Sequence, residues 1–177
     1  MANPEHLKII EQGVEAWNEW RKINYKPDLS GTDLTKANLS GADLSDTNLQ
    51  GAILAGARLE GANFYMANLQ DAHLGGANLI SAKMIYANLI NAFLKEATLF
   101  RVNLEFANLN GAILNNAKMK GANLTSATFE SASLFEANLN CVNGTEASFN
   151  GADLGNANLT GGHINQSQPS KCLPNRC

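Results

Sequence analysis

The chain holds three histidines, His6, His73 and His163, and three cysteines, Cys141, Cys172 and Cys177. Any imidazole base, activated nucleophile or zinc-type centre would have to be assembled from these six residues. Their spacing does not favour it. The sequence contains no Cys-x-x-Cys, no His-Glu-x-x-His and no glycine-rich phosphate loop followed by lysine. Three cysteines do not make a paired framework; a Cys172–Cys177 disulfide is one alternative, and free thiols in a reducing compartment are the favoured one. Carboxylates are plentiful, among them Asp43, Asp46, Glu60, Asp71, Glu96, Glu105 and Glu130. A carboxylate serves as general acid or base where a cleft shifts its pKa and excludes water. The elements that carry these residues therefore decide what they can do.

The 177 residues suit one domain with a real core. They are 45% hydrophobic, 7% aromatic and 16% charged, with a formal net charge of −3. This balance gives no reason to expect direct nucleic-acid binding. No run approaches the roughly 18 apolar residues of a membrane span. MANPEHLKIIEQ lacks the basic start and apolar segment of a secretory signal, so a cytoplasmic chain is expected.

Leu39, Leu44, Leu49, Leu54, Leu59 and Phe64 recur every five residues, a spacing that fits neither helix nor strand. The large-residue position runs unbroken from Leu29 to Ile164 through 28 pentapeptides, 21 of them with Leu. Two places earlier the residue is nearly always Ala. Five residues are too few for a helix and a turn but enough for a short extended piece and a corner. Four such units close a square coil of 20, and coils stack at about 4.8 Å, the spacing of neighbouring strands. Leu fills the narrow interior because its inward neighbours are small. Asn or Asp before the Leu (Asn38, Asp43, Asn48) and Gly two places after it (Gly31, Gly41, Gly51) supply corner chemistry.

Tandem A(N/D)LXX units such as Ala37-Asn38-Leu39-Ser40-Gly41 resemble the pentapeptide repeat family over Leu29 to Ile164. The resemblance implies an all-β solenoid, a right-handed quadrilateral β-helix. Four units per coil make about seven coils, a rod roughly 34 Å long. The expected organisation is an N-terminal capping helix over residues 1–26, the β-helix over 27–166 and a flexible tail over 167–177. Residues Pro4 to Ile23 read as one helix, with Asn3 as N-cap, Pro4 at its first position and Leu7, Ile10, Val14 and Trp17 on one face. Deleting residues 1–24 should expose the first coil. The resemblance also includes gyrase-protecting members that pair end to end through C-terminal helices; NQSQPSKCLPNRC has no such pattern.

On a convex rod the carboxylates have no cleft, and His73 and His163 fall on different faces. The expectation is no enzyme, no cofactor and no metal. The resemblance implies DNA mimicry of a type II topoisomerase (gyrase) as an alternative. Residues 28–166 carry twelve acids and seven bases interspersed along the chain, which does not favour it. A scaffold or protein-binding module is expected, with an unidentified protein or a second copy as partner and no membrane. Stacking positions 20 apart gathers apolar residues on the middle coils: Ile53, Phe93 and Ile113; Met66, Tyr86 and Phe106 with Tyr65 and Ile85; and Ile80 with Phe100. These ten form the expected interaction surface. Gly144, the one empty large-residue position, should leave a void whose filling by Gly144→Leu raises the melting temperature.

Overall fold

The computed structural model describes residues 2–164. Two short helices come first, α1 (Pro4–Ile10) and α2 (Val14–Arg21). The single helix expected over Pro4 to Ile23 is broken at Gly13, whose φ of 106° no helix accommodates. As expected, Pro4 opens α1 and the Asn3 side chain accepts a hydrogen bond from the Glu5 N–H at 2.9 Å.

From Asp28 onward the chain winds as a four-sided coil. Parallel bridges join residues 20 apart on each of four sides, for example Asp28↔Asn48, Asp33↔Ile53, Asn38↔Arg58 and Asp43↔Asn63. Each side is too short for a strand and contributes one bridging residue. Only β1 (Asn143–Gly144) and β2 (His163–Ile164) pair over two residues.

The pentapeptide formula follows from where its five N–H groups go. In the unit Asn48-Leu49-Gln50-Gly51-Ala52, the Leu49 N–H donates to the next coil at Asn68 O (2.7 Å), and Asn48 N–H donates to the preceding turn of the chain at Pro27 O (2.8 Å). Gly51 N–H reaches the next coil at Gln70 O (2.9 Å), and Ala52 N–H closes the corner on Leu49 O (3.0 Å). The fifth, Gln50 N–H, donates to the Asn48 side chain at 3.2 Å. Where Asn or Asp precedes the large residue, its side chain thus takes up the one backbone N–H of the unit that no backbone carbonyl receives. The residue two places after the large one sits in the left-handed region, Gly51 at φ 64° and Asp46 at φ 53°.

Leu and Ala point inward and are buried along the rod; Phe129 and Phe149 stack inside it with centroids 4.8 Å apart. Gly144 departs from expectation. Its φ lies outside the left-handed region, yet a Cβ there would stand 2.9 Å from Ile164 Cγ1 and 3.2 Å from the His163 carbonyl oxygen. The next coil leans into the space, so there is no free void for a leucine to fill. Val142 is matched in the same way by Gly162, where a Cβ would meet Val142 Cγ2 at 3.3 Å.

The helices lie against the first coil, which has no preceding coil to pair with. Trp17, fully buried, donates its indole N–H to Asp43 O at 2.8 Å. Asn18 donates to Gly41 O at 3.0 Å and accepts from Asp43 N–H at 2.8 Å. Arg21 donates to the carbonyls of Asp43, Asn24 and Ser45. His6 Nδ1 accepts the Asp28 N–H at 2.9 Å, and Asn3 N–H donates to Asp28 O at 3.0 Å. The residues expected to form a tail, 167–177, and the proposed disulfide pair Cys172–Cys177 lie outside the described residues.

Candidate interaction surface

The 20-residue register sorts every outward side chain into a column. Following one coil, the first face carries Asn48, Asn68, Asn88 and Asn108, and the second carries Ile53, His73, Phe93 and Ile113. The third carries Arg58, Asn78, Thr98 and Lys118, and the fourth carries Asn63, Lys83, Asn103 and Asn123. Two outward residues form the corner between successive faces.

This arrangement divides the ten expected surface residues. Ile53, Phe93 and Ile113 lie on the second face, across the rod from the fourth. The other seven flank the fourth face, with Ile80 and Phe100 on the corner before it and Tyr65, Met66, Ile85, Tyr86 and Phe106 on the corner after it. The first three do not join the rest in one patch.

The two groups differ in backbone and in packing. Phe93 leans over Gly75, where a Cβ would come within 3.0 Å of its ring, and stacks beside His73 at 6.1 Å. Phe135, half-exposed and not anticipated from sequence, leans over Gly155 in the same way at 2.9 Å. A glycine one coil away seats each ring. The signal is a large–glycine pairing about one coil apart, 18 residues from Gly75 to Phe93 and 20 from Phe135 to Gly155, which a search for apolar columns overlooks.

Met66, Tyr86 and Phe106 have no such seat. They occupy the left-handed position at φ 55°, 58° and 57°, where other coils place glycine or a polar or charged residue. For a bulky residue this conformation costs roughly 1–2 kcal/mol. The three are 53%, 50% and 44% exposed. Tyr86 and Phe106 stack nearly parallel at 4.9 Å, and Tyr65 meets Tyr86 edge-on at 6.0 Å. Ile23 and Tyr25, ahead of the first coil, are also largely exposed, and no periodic signal marks them.

Charge is segregated in a way the linear order hides. From the corner after the fourth face, across the first face and its following corner, stand Asp28, Asp46, Asp71, Glu105, Glu130 and Glu146, with no base over residues 28–164; Lys26 precedes the first coil in the column of Asp46. All seven bases of residues 28–164 lie on the remaining surface among the other six acids. Acids and bases alternate along the chain but separate around the rod. At Asp28, burial raises the carboxyl pKa, but hydrogen bonds from Ser30, the positive charge of the chain's amino terminus and a hydrogen bond from Asn48 together outweigh it and hold the group below its usual value. Hydrogen bonds from Thr35 lower that of Asp33.

Among the described residues, no three His, Cys, Asp or Glu side chains are grouped closely enough to hold a metal ion. No helix among them is long and apolar enough to cross a membrane.

A four-sided coil with a 20-residue register and a five-residue formula defines a repeat β-helix. The family described as Pentapeptide repeats (8 copies) matches residues 28–64, 62–99, 99–134 and 129–166. The chain belongs to the pentapeptide repeat family. It is similar to full-length QnrB1, a plasmid-mediated fluoroquinolone resistance protein, at 16% identity and a TM-score of 0.74 over 80% of this chain and 74% of that one. HetL, involved in heterocyst differentiation regulation in the cyanobacterium Nostoc sp. strain PCC 7120, is 28% identical over 78% of this chain and 81% of that one, with a TM-score of 0.38. Rfr23 of the cyanobacterium Cyanothece 51142 is 25% identical over 84% of this chain and 94% of that one, with a TM-score of 0.37. No curated protein sequence matches the chain.

Proposed function

We propose that the chain is a non-enzymatic scaffold that binds protein through the outer surface of its rod. One observation carries this reading. Three large apolar residues are held in a costly left-handed conformation, consecutively, on one exposed corner, where nothing inside the chain requires them. In this reading residues 1–26 cap the first coil, and residues 27–166 form about seven coils whose middle supplies the surface. The exposed free thiol of Cys141 suits a reducing compartment, and the cytoplasm is the proposed location. The test is a pull-down with the wild type and with Tyr86→Ser combined with Phe106→Ser. Specific partners should be lost in the double variant while its melting curve stays cooperative. Retention of every partner would sink the reading.

A second reading draws on the base-free acidic strip, which favours a DNA mimic acting on a type II topoisomerase such as gyrase. The fold-level likeness to a fluoroquinolone resistance protein fits but carries little weight at 16% identity. Titration into a supercoiling reaction, with and without a quinolone, decides it. Neither inhibition nor protection would remove it.

A further inference from the structure

We propose that the surface around the fourth face pairs with a second copy of this chain, rods parallel and fourth face to fourth face, about a twofold axis running along the rods. The inference rests on reading that surface as an interface, and it names the occupant.

The middle of the rod is self-complementary under this operation. Residues 100–106 read FRVNLEF, with Phe100 and Arg101 on one corner, Asn103 at mid-face, and Glu105 and Phe106 on the other corner. A twofold axis parallel to the rod keeps every coil at its own height and reverses the order across the face. Phe100 then opposes Phe106 of the second copy, Arg101 opposes its Glu105, and Asn103 opposes its Asn103. Among the described residues, neither Arg101 nor Glu105 has an ionic partner in its own chain. One coil earlier, Ile80 opposes Tyr86 and Ser81 opposes Ile85.

Charge selects this arrangement over its rivals. An antiparallel pair across the same face sets each corner against itself, so the Glu105 corner meets its own carboxylates and the Arg101 corner its own guanidinium. The parallel pair brings opposite charges together on both edges and covers the exposed rings of Tyr86 and Phe106. Its unfavourable like-charge contacts are Lys83 and Asp43, which share the mid-face column and each meet their counterpart across the axis; Arg21 of the same chain, 3.9 Å from the Asp43 carboxylate, offsets the second. Glu105 is the one charged residue on the corner after the face over Tyr65 to Phe106, whereas Arg101 and Lys120 stand on the corner before it, with Glu60 two coils below Phe100. The complement of each edge is therefore the other edge of the same face.

Sedimentation velocity over a wide concentration range tests this on the full chain, using wild type, Arg101→Glu, Glu105→Arg and the double exchange. Wild type should dimerise, and each single variant should weaken the dimer by roughly tenfold or more. The double exchange should recover wild-type affinity, because the reversed pair reforms across the axis. Lys83→Ala should tighten the dimer. A wild type that is monomeric at every concentration overturns the proposal, as does a double exchange no better than the single variants. A monomeric wild type that still loses captured partners on Tyr86→Ser with Phe106→Ser would overturn the dimer alone and leave the protein-binding reading standing.

Discussion

The N-terminal end and the middle of the rod both break the five-residue formula, for opposite reasons. At the end, the first coil lacks a neighbour, and its backbone groups would be left unpaired. Trp17, Asn18, Arg21, His6 and Asn3 satisfy them one by one. Each of these five residues answers a demand from inside the chain. In the middle coils the backbone is already paired above and below. Met66, Tyr86 and Phe106 meet no such demand and occupy a conformation that disfavours them. An irregularity that folding explains marks architecture, and one that folding opposes marks use.

The largest test of the first half of that comparison is Trp17→Ala. It removes a fully buried indole and leaves the Asp43 carbonyl dependent on Arg21 alone. Large-to-small changes at such sites cost about 3–5 kcal/mol. Thermal unfolding should show an early transition at the N-terminal end with the later coils still folded. With Trp20 as the only other tryptophan, 5.2 Å from Trp17, fluorescence of Trp17→Phe isolates a single reporter of helix docking. An unchanged melting curve for Trp17→Ala would mean that the helices do not hold the first coil.

Gly144→Leu comes next and separates what a repeat reveals from what it hides. The new side chain must displace Ile164 and approach the His163 carbonyl, and overpacking of this kind costs about 1–3 kcal/mol. A lowered melting temperature is expected; a rise would show that Ile164 yields freely.

The period alone leads to the coil, its four sides, the inward Leu and Ala and the Asn-before-Leu rule, because each unit repeats one backbone requirement. It does not lead to features that depend on pairs in adjacent coils with unlike partners. Ile164 leaning toward Gly144, Phe93 over Gly75 and Phe135 over Gly155 are visible only once coils are stacked with side chains in place. The break at Gly13 was hidden for a different reason. Apolar spacing continues across it from Ile10 to Val14 and Trp17, so the periodicity of one helix persists through a turn. Of the candidate surface, the columns and their placement on different faces were legible, since residues ten apart in a 20-residue coil stand opposite; which column a glycine seats and which stands exposed at its corner was not. The left-handed conformation of Tyr86 and Phe106 was legible as a position two places after the large residue, where Gly recurs elsewhere.

The two apolar ladders should also separate in sign. Phe93→Ala removes a ring seated on Gly75 and should destabilise by about 1 kcal/mol. Phe106→Gly loses a stacking contact of about 0.5–1.5 kcal/mol but relieves the left-handed cost, so its net effect on stability should be near zero or favourable. Chemical denaturation of the two variants side by side measures the difference. Equal losses would mean that the corner ladder, like the face ladder, is there for stiffness.

The smallest expected effect lies at the junction of the two regions, at Asp28. Its N–H is held by His6 from α1, while its carboxylate accepts from Ser30 N–H at 3.0 Å and from Asn48 at 3.1 Å. Burial raises the carboxyl pKa, but those hydrogen bonds together with the positive charge of the amino terminus outweigh it and keep the folded value below the ordinary 3.8. A group whose pKa is depressed on folding contributes stability that is present above the unfolded value. That contribution is lost as pH falls through the folded value. Melting temperature should therefore decline below about pH 4. Asp28→Asn keeps both hydrogen-bond acceptances without the charge, so it should flatten the decline only in part. Asp33, lowered by its bonds from Thr35, still titrates over the same range. If Asp28→Asn leaves the acid limb unchanged while Asp33→Asn flattens it, the Asp28 carboxylate adds nothing to the first coil. The helices would then act there through His6 and the backbone alone.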